Sequence, residues 1–424
     1  MRSSLARRRW GSPLQIIFVC VFIDMLGYGM IVPLLPFLVP ERPDRALLVG
    51  LLSSIYALMQ LLVAPLLGAL ADRRGRRPVL IGCLLTAGSA YTLLGVAAGL
   101  GSLPLLFVAL ALGGAAGASI PTAQAYIADS TPPEGRARGL GLIGAAFGLG
   151  LMLGPAMGGL LSRYGLGLPA FVAAGLALLN GLYGLLALPE SLPQKLENRQ
   201  PPTDDRGAGT QWSSNDSGRS PKLAVALANG VRGKHNVWPL LLAIFLLNLA
   251  FAGLQSNFPL FSNARFGWNS VDIGVFFAFV GLCAVLTQGV LLGRLQPLLG
   301  EPLLVLLGLG LMAGSLGLTA LATTGWALYP LVGLMALGTG LAIPSITSLV
   351  SRQAGEGRQG AVLGGMQAIL SAALVLGPLL AGLLFDRLGP AAPYLSGGLL
   401  AGGALLAAAA GLWPTLRRSV PALK

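Results

Sequence analysis

The chain has 424 residues, 54% of them hydrophobic and only 10% charged, with a mean hydropathy of +0.76. A water-soluble domain carries about 25% charged residues, so composition excludes a soluble globular fold. The net charge of +13 does not mark a nucleic-acid surface, because the basic residues sit between apolar runs, as in membrane loops.

A helix crosses the hydrocarbon with about 20 apolar residues. Runs of that kind fall near 14–38, 47–70, 78–100, 103–128, 138–162 and 167–188. Six more fall near 237–262, 271–293, 302–322, 325–350, 360–385 and 391–413. The pattern predicts an all-α integral membrane protein of twelve transmembrane helices in two six-helix bundles, 1–188 and 237–424. Between them, 189–236 holds Pro201-Pro202, Asp204-Asp205 and a Ser/Asn/Gly-rich stretch. It reads as a mostly disordered linker, with a short surface helix near 222–232.

With the first span running outward, 23 of the 28 Lys and Arg residues fall on the side of the termini and linker. That bias predicts a multi-pass membrane protein with both termini and the linker in the cytoplasm. Arg7-Arg8-Arg9 before an apolar run resembles a signal-peptide start. The run is too long and no small-residue cleavage site follows it, so no cleavage is expected.

The halves repeat. Gly154-Pro155 and Gly159 match Gly377-Pro378 and Gly382, and Pro121 matches Pro344, all at an offset of 223. Pro13, Gly27 and Pro33 match Pro239, Gly253 and Pro259 at 226, and Gly68 and Gly75 match Gly293 and Gly300 at 225. Six spans is an even number, so the repeat is parallel, and a substrate site is expected near midplane between the halves.

Asp24 is the main candidate for chemistry. It lies 11 residues past Pro13, about 16 Å along a helix, near the middle of a hydrocarbon core roughly 30 Å thick. A charged side chain there is costly and marks a proton or substrate path. It is assigned proton coupling: deprotonated it holds a polar or cationic substrate, and protonated it releases it. A structural aspartic acid bonded to a neighbouring helix is the plainer alternative. Tyr28 shares its face at i+4. Tyr56, Gln60, Gln124, Asn248, Gln255, Gln288 and Gln367 lie in spans and need partners in a dry environment. With Tyr28, six of them (Tyr56, Gln60, Gln124, Asn248, Gln255 and Gln367) form the candidate substrate cavity. Phe147, Phe251 and Phe258 could line it, though core or lipid packing suits each better. An amphipathic, weakly acidic site fits lipophilic neutral or cationic compounds. A phosphate site would need arginines in the core, and the spans hold none at depth.

Cys20, Cys83 and Cys283 lie inside apolar runs without metal-ligand spacing, and the one histidine, His235, lies in the linker. No metal site, cofactor or catalytic residue is predicted. With no H-E-x-x-H and no G-x-x-x-x-G-K-[ST] phosphate loop, neither an intramembrane enzyme nor an ATP-driven pump is expected.

The loop after span 2 reads Gly68-Ala69-Leu70-Ala71-Asp72-Arg73-Arg74-Gly75-Arg76-Arg77. Positive-inside topology explains its arginines but not Asp72 or the glycines. Gly68 is expected to let helices approach closely and Gly75 to permit a tight turn. Asp72 suits a helix N-terminus, and Arg73, Arg76 and Arg77 suit carboxylates or lipid phosphates. Span 5 carries Gly150, Gly154 and Gly158 at every fourth position, with Pro155 and Gly159. Such a face allows close, movable helix packing, and Pro155 adds a kink. Span 1 reads Asp24-Met25-Leu26-Gly27-Tyr28-Gly29, and span 6 ends Leu188-Pro189-Glu190-Ser191-Leu192.

The loop closely resembles the signature loop of the major facilitator superfamily. Span 5 resembles that family's antiporter motif, and spans 1 and 6 resemble drug–proton antiporters of the tetracycline-exporter group. The resemblance implies proton-driven export of amphipathic small molecules across a bacterial-type inner membrane by alternating access, with substrate, protons and lipids as partners and a monomer as the expected state. It implies that Asp72 docks near the start of span 11 and pairs with an arginine after span 4, Arg136 or, as the alternative, Arg138. Glu190 is expected to be a solvated helix-end residue. One position departs: the buried span 4 arginine of the antiporters is Leu110 here. An uncoupled facilitator or a proton symporter for a small metabolite is the alternative.

Overall fold

In a lipid core every backbone N–H and C=O must find an internal partner, which leaves helices as the economical solution for such apolar runs. The computed structural model describes residues 13–117, 119–131, 133–191, 237–353 and 359–419. Nearly all of the expected linker lies outside the described residues.

The helices are α1 (Pro13–Leu38), α2 (Arg45–Arg74), α3 (Arg76–Leu100), α4 (Leu103–Ser130), α5 (Pro133–Leu161) and α6 (Leu168–Ala187), then α7 (Trp238–Phe266). The next apolar stretch, Ser270–Leu321, is 52 residues long. That is about 78 Å of helix, more than twice the hydrocarbon thickness. It divides at Gly300, whose φ of 71° and ψ of 158° are not helical. It therefore forms two spans, α8 (270–299) and α9 (301–321). They are followed by α10 (Leu328–Gln353), α11 (Gln359–Leu388) and α12 (Ala392–Ser419). Eleven apolar stretches thus hold twelve spans, as the sequence predicts. Gly75, the repeat partner of Gly300, makes the same break between α2 and α3 with φ 106° and ψ 155°.

The packing repeats as the sequence does. In the first bundle α1 lies on α5 and α6, and α3 on α4 and α6. In the second α7 lies on α11 and α12, and α9 on α10 and α12. The bundles meet along two equivalent seams, α2 against α11 and α5 against α8. Both described chain ends of each bundle lie on one side, with Arg73, Arg74, Arg76, Arg77 and Arg352. We call this the basic side.

The seams are tight on the opposite side and open on the basic side. A Cβ on Gly159 would meet Gly274 Cα at 2.9 Å, and one on Gly281 would meet Met152 Cα at 2.6 Å. A Cβ on Gly382 would meet Leu47 Cα at 2.9 Å, and one on Gly50 would press on the backbone of Pro378. Toward the basic side, Cβ atoms on Gly68, Gly141, Gly144, Gly289, Gly293 and Gly364 would meet nothing within 4 Å. Among the described residues the four seam helices are therefore parted toward the basic side, leaving a wedge there. Among the described residues nothing lies within 4 Å of a Cβ on Gly68, so the close-approach expectation for Gly68 is not met there.

Two spans are irregular. α8 contains a π turn at Thr287–Leu291 that includes Gln288. α4 is interrupted at Gly117, where its first half ends.

Candidate functional site

Asp24 sits on α1, 7% exposed. Its carboxylate accepts a hydrogen bond from Ser119 Oγ, itself buried. The interruption of α4 explains why Ser119 is there. Pro121 has no N–H for the carbonyl four residues back, which is that of Gly117. Gln60 Nε2 of α2 donates to that carbonyl at 3.0 Å instead. Ser119 follows within the second half of α4 and turns its hydroxyl to the buried carboxylate. Broken helices of this kind mark binding sites in transporters.

Around this group, the rings of Tyr28 and Tyr56 lie 5.4 Å apart, and Tyr91 packs on Gly27 one turn past Asp24. Asp24, Tyr28, Tyr56, Gln60 and Ser119 thus join α1, α2 and α4 in one polar cluster. The other expected cavity residues are more scattered. Asn248 turns back to the Ile244 carbonyl of its own helix at 2.8 Å. Gln255 is half-buried, and Gln124, Gln288 and Gln367 are exposed. Phe258 is buried and stacked on Phe276 at 4.3 Å, and Phe251 packs on the same core, so these two are core residues. Phe147 is exposed.

The glycine face of α5 lies directly on the Asp24 helix. A Cβ on Gly150 would meet Met25 Cβ at 2.6 Å, on Gly154 the Leu26 carbonyl at 2.7 Å, and on Gly158 Met30 Cα at 2.9 Å. Gly159, one residue on, faces α8 instead. Pro155 also reaches α8, where its carbonyl would lie 2.6 Å from a Cβ on Gly274. One helix thus touches both the buried carboxylate's backbone and the other bundle.

On the basic side, Arg76 is buried and pairs with Asp72 and, through Nε at 3.1 Å, with Asp129 at the end of α4. Asp72 is largely exposed. Arg77 donates to the Leu185 carbonyl of α6, while Arg73 is exposed. The second bundle has an equivalent pair, Glu301 with Arg352 at 3.0 Å. Glu301 also accepts from Ser348 at 2.7 Å and Gln296 at 3.0 Å.

Comparison with known proteins agrees with this architecture. A profile of the Major Facilitator Superfamily matches residues 17–378. The chain belongs to the major facilitator superfamily. Among curated relatives of this facilitator are the Escherichia coli tetracycline resistance proteins of class C and class B. Class C is 34% identical over 87% of this chain and 88% of its own. Class B is 32% identical over 89% of each. Among solved structures, the human organic anion transporter MFSD10 (TETRAN) superposes with a TM-score of 0.68 at 25% identity, covering 93% of this chain and 98% of that one.

Within this facilitator, the expected partners of Asp72 fall outside the described side chains, and the expectation for Glu190 needs amendment. Asp72 binds Arg76, four residues on in its own loop; Arg136, Arg138 and the start of α11 lie outside the described side chains. Glu190 is not a solvated helix end. Its Oε1 accepts the backbone N–H of Arg76 at 3.0 Å and of Ser191 at 2.9 Å, so it caps α3 from the end of the first bundle. Its carboxyl carbon would lie 2.7 Å from a Cβ on Gly75, so that glycine is needed for space as well as for its φ. Leu110 packs against the apolar cluster of the first bundle. Ser119, Asp129, Glu301 and Arg352 were not singled out from sequence. Pro121 downstream of Gly113-Gly114 and Gly117 signals the α4 break, and the repeat offset alone pairs 129 with 352.

Proposed function

We propose that this facilitator exports amphipathic or lipophilic small molecules, neutral or cationic, in exchange for protons, with Asp24 as the proton-coupling residue. The observation that carries this reading is the placement of Asp24. Among the described residues it is the one buried carboxylate at mid-span; the other buried acid, Glu301, lies at the basic end of α9. The tetracycline resistance names of the relatives support an exporter, and the aromatic and amide groups beside Asp24 suit a lipophilic cargo. The basic-residue bias supports assigning the basic side, both termini and the linker to the cytoplasm. The wedge then faces inward, where cytoplasmic or inner-leaflet substrate reaches Asp24. A monomer supplies every element of this site.

Exchange follows from competition for one group. Substrate engages the ionised carboxylate, the bundles rock to the other face, and a proton from outside displaces the substrate. The proton returns with the carboxylate to the cytoplasmic face, where the next substrate expels it. Among the described residues α4 supplies no buried cation near Asp24; the hydroxyl of Ser119 stands there instead. Leu110 in place of the antiporters' arginine favours the second reading, an uncoupled facilitator or a symporter for a metabolite.

Reconstituted vesicles separate the two. Tetracycline, lipophilic cations and an organic anion are added to wild type and to Asp24→Asn, and proton release is followed. Antiport predicts release from wild type with the cationic or neutral compounds and at least a tenfold loss in the variant, with membrane insertion retained. Substrate flux without proton movement in either protein would replace antiport with facilitation.

A further inference from the structure

The two seams start alike and are closed differently. α2 and α8 begin at equivalent places, 45 and 270, an offset of 225. α8 caps itself: Asn269 accepts from the N–H groups of Val271 and Asp272, and Asp272 accepts from Asn269 N–H at 3.0 Å. The equivalent residues of α2 are Asp44 and Leu47. Asp44 makes no side-chain cap, and Leu47 has no carboxylate. The free N–H groups at the start of α2 are satisfied from the other bundle. Asp386, in the last turn of α11, accepts from Ala46 N–H at 3.2 Å and from Leu47 N–H at 2.8 Å.

We propose that Asp386 is a positioning residue that latches the opposite side shut by capping α2 across the bundle interface. Its carboxylate oxygens are spent on two donors of the other bundle, so rocking the bundles apart on that side uncaps α2. The remaining contacts hold the seam in register. Ser54 Oγ donates to the Val375 carbonyl at 2.6 Å two turns deeper, and Gly50 and Gly382 bring the two backbones together. Among the described residues the α5/α8 seam has a hydroxyl pair at this level, Ser162 with Ser270 at 2.7 Å. A crevice of about 310 Å³, lined in part by Arg42, Arg45, Asn263 and Asp386, gives water access to the latch. Asp72 occupies the mirror-image place, the last turn of α2 on the basic side, where the wedge is open. The α2/α11 pair thus carries one carboxylate near each mouth.

The test is thiol labelling of the full chain in membrane vesicles, with Cys20, Cys83 and Cys283 replaced by Ala and Ser54→Cys as reporter. A membrane-impermeant maleimide is applied from the opposite side. Asp386→Ala is expected to raise the labelling rate about fivefold, the equivalent of about 1 kcal/mol for a lost helix cap. Asp386→Asn keeps one of the two acceptor oxygens and is expected to raise the labelling rate less than Asp386→Ala does. Leu47→Asp gives α2 the box that α8 has and sets a like charge beside Asp386. It is expected to raise labelling as well, which covers the case in which Asp386→Ala does not insert. Unchanged labelling in both Asp386→Ala and Leu47→Asp, or equal rises with Ala and Asn at 386, would overturn the latch. The readout needs no substrate, so failure of antiport at Asp24 leaves it intact.

Discussion

Among the described residues, Ser119 donates the hydrogen bond that the Asp24 carboxylate accepts. Leaving a buried polar group one donor short costs about 1–3 kcal/mol. Ser119→Ala is therefore expected to slow proton-coupled flux about tenfold in vesicles, while Ser119→Thr, which keeps the hydroxyl, retains most of it. Equal flux in both variants would show that the hydroxyl is irrelevant. At Gly154 the limit is space. A methyl there lies 2.7 Å from the Leu26 carbonyl, and overpacking of that kind costs about 1–3 kcal/mol. Gly154→Ala should lower the thermal midpoint in detergent, whereas Gly144→Ala, which meets open space, should not. Asp24 was legible in sequence because a carboxylate among twenty apolar residues stands out. Ser119 was not, because a serine in a span is commonplace until the chain around it is known to break.

At the scale of elements, all twelve spans and the Gly75 turn could be read from hydropathy and glycine placement. Pro121 and its upstream glycines signal the interruption of α4 but do not decide it, since the repeat partner Pro344 sits inside a continuous α10. The difference lies in Gln60, which gives the freed Gly117 carbonyl a donor. Pro121→Ala restores a backbone N–H for that carbonyl. It is expected to straighten α4 and raise the melting temperature while lowering coupled flux, because Ser119 swings away from Asp24. A fall in both would mean that the break itself stabilises the fold. Glu190 teaches the opposite lesson. At the end of an apolar run it reads as solvated, yet it caps α3, a span that starts three helices earlier. Glu190→Ala should cost about 1 kcal/mol, read as a lower thermal midpoint, with Glu190→Gln closer to wild type.

Over the whole molecule, the basic-side ion pairs obey the repeat in position and violate it in sign. Arg76 with Asp129 in one bundle becomes Glu301 with Arg352 in the other. The repeat offsets of 225 and 223 pair these four positions, but composition gives no reason to look for the reversal. Arg352→Glu opposes two carboxylates. It is expected to cost about 1–2 kcal/mol, moderated because Arg352 is exposed to solvent. The double variant Glu301→Arg with Arg352→Glu should recover most of that loss in a thermal unfolding assay. No recovery would mean that Ser348 and Gln296, which also bind Glu301, dominate its environment.

The π turn of α8 limits how far the two halves can be superposed. One extra residue in a turn rotates everything after it by about 100°, the angle one residue subtends on a helix. From Leu292 to the Gly300 break, α8 is therefore out of phase with the last turns of α2, although the two segments have equal length. Residues that correspond at the repeat offset of 225, such as Leu67 and Leu292 or Ala69 and Arg294, point in different directions around their helix axes. A chimera that replaced 287–299 by 62–74 would keep the loop in register and turn the wrong stripe of side chains toward the wedge.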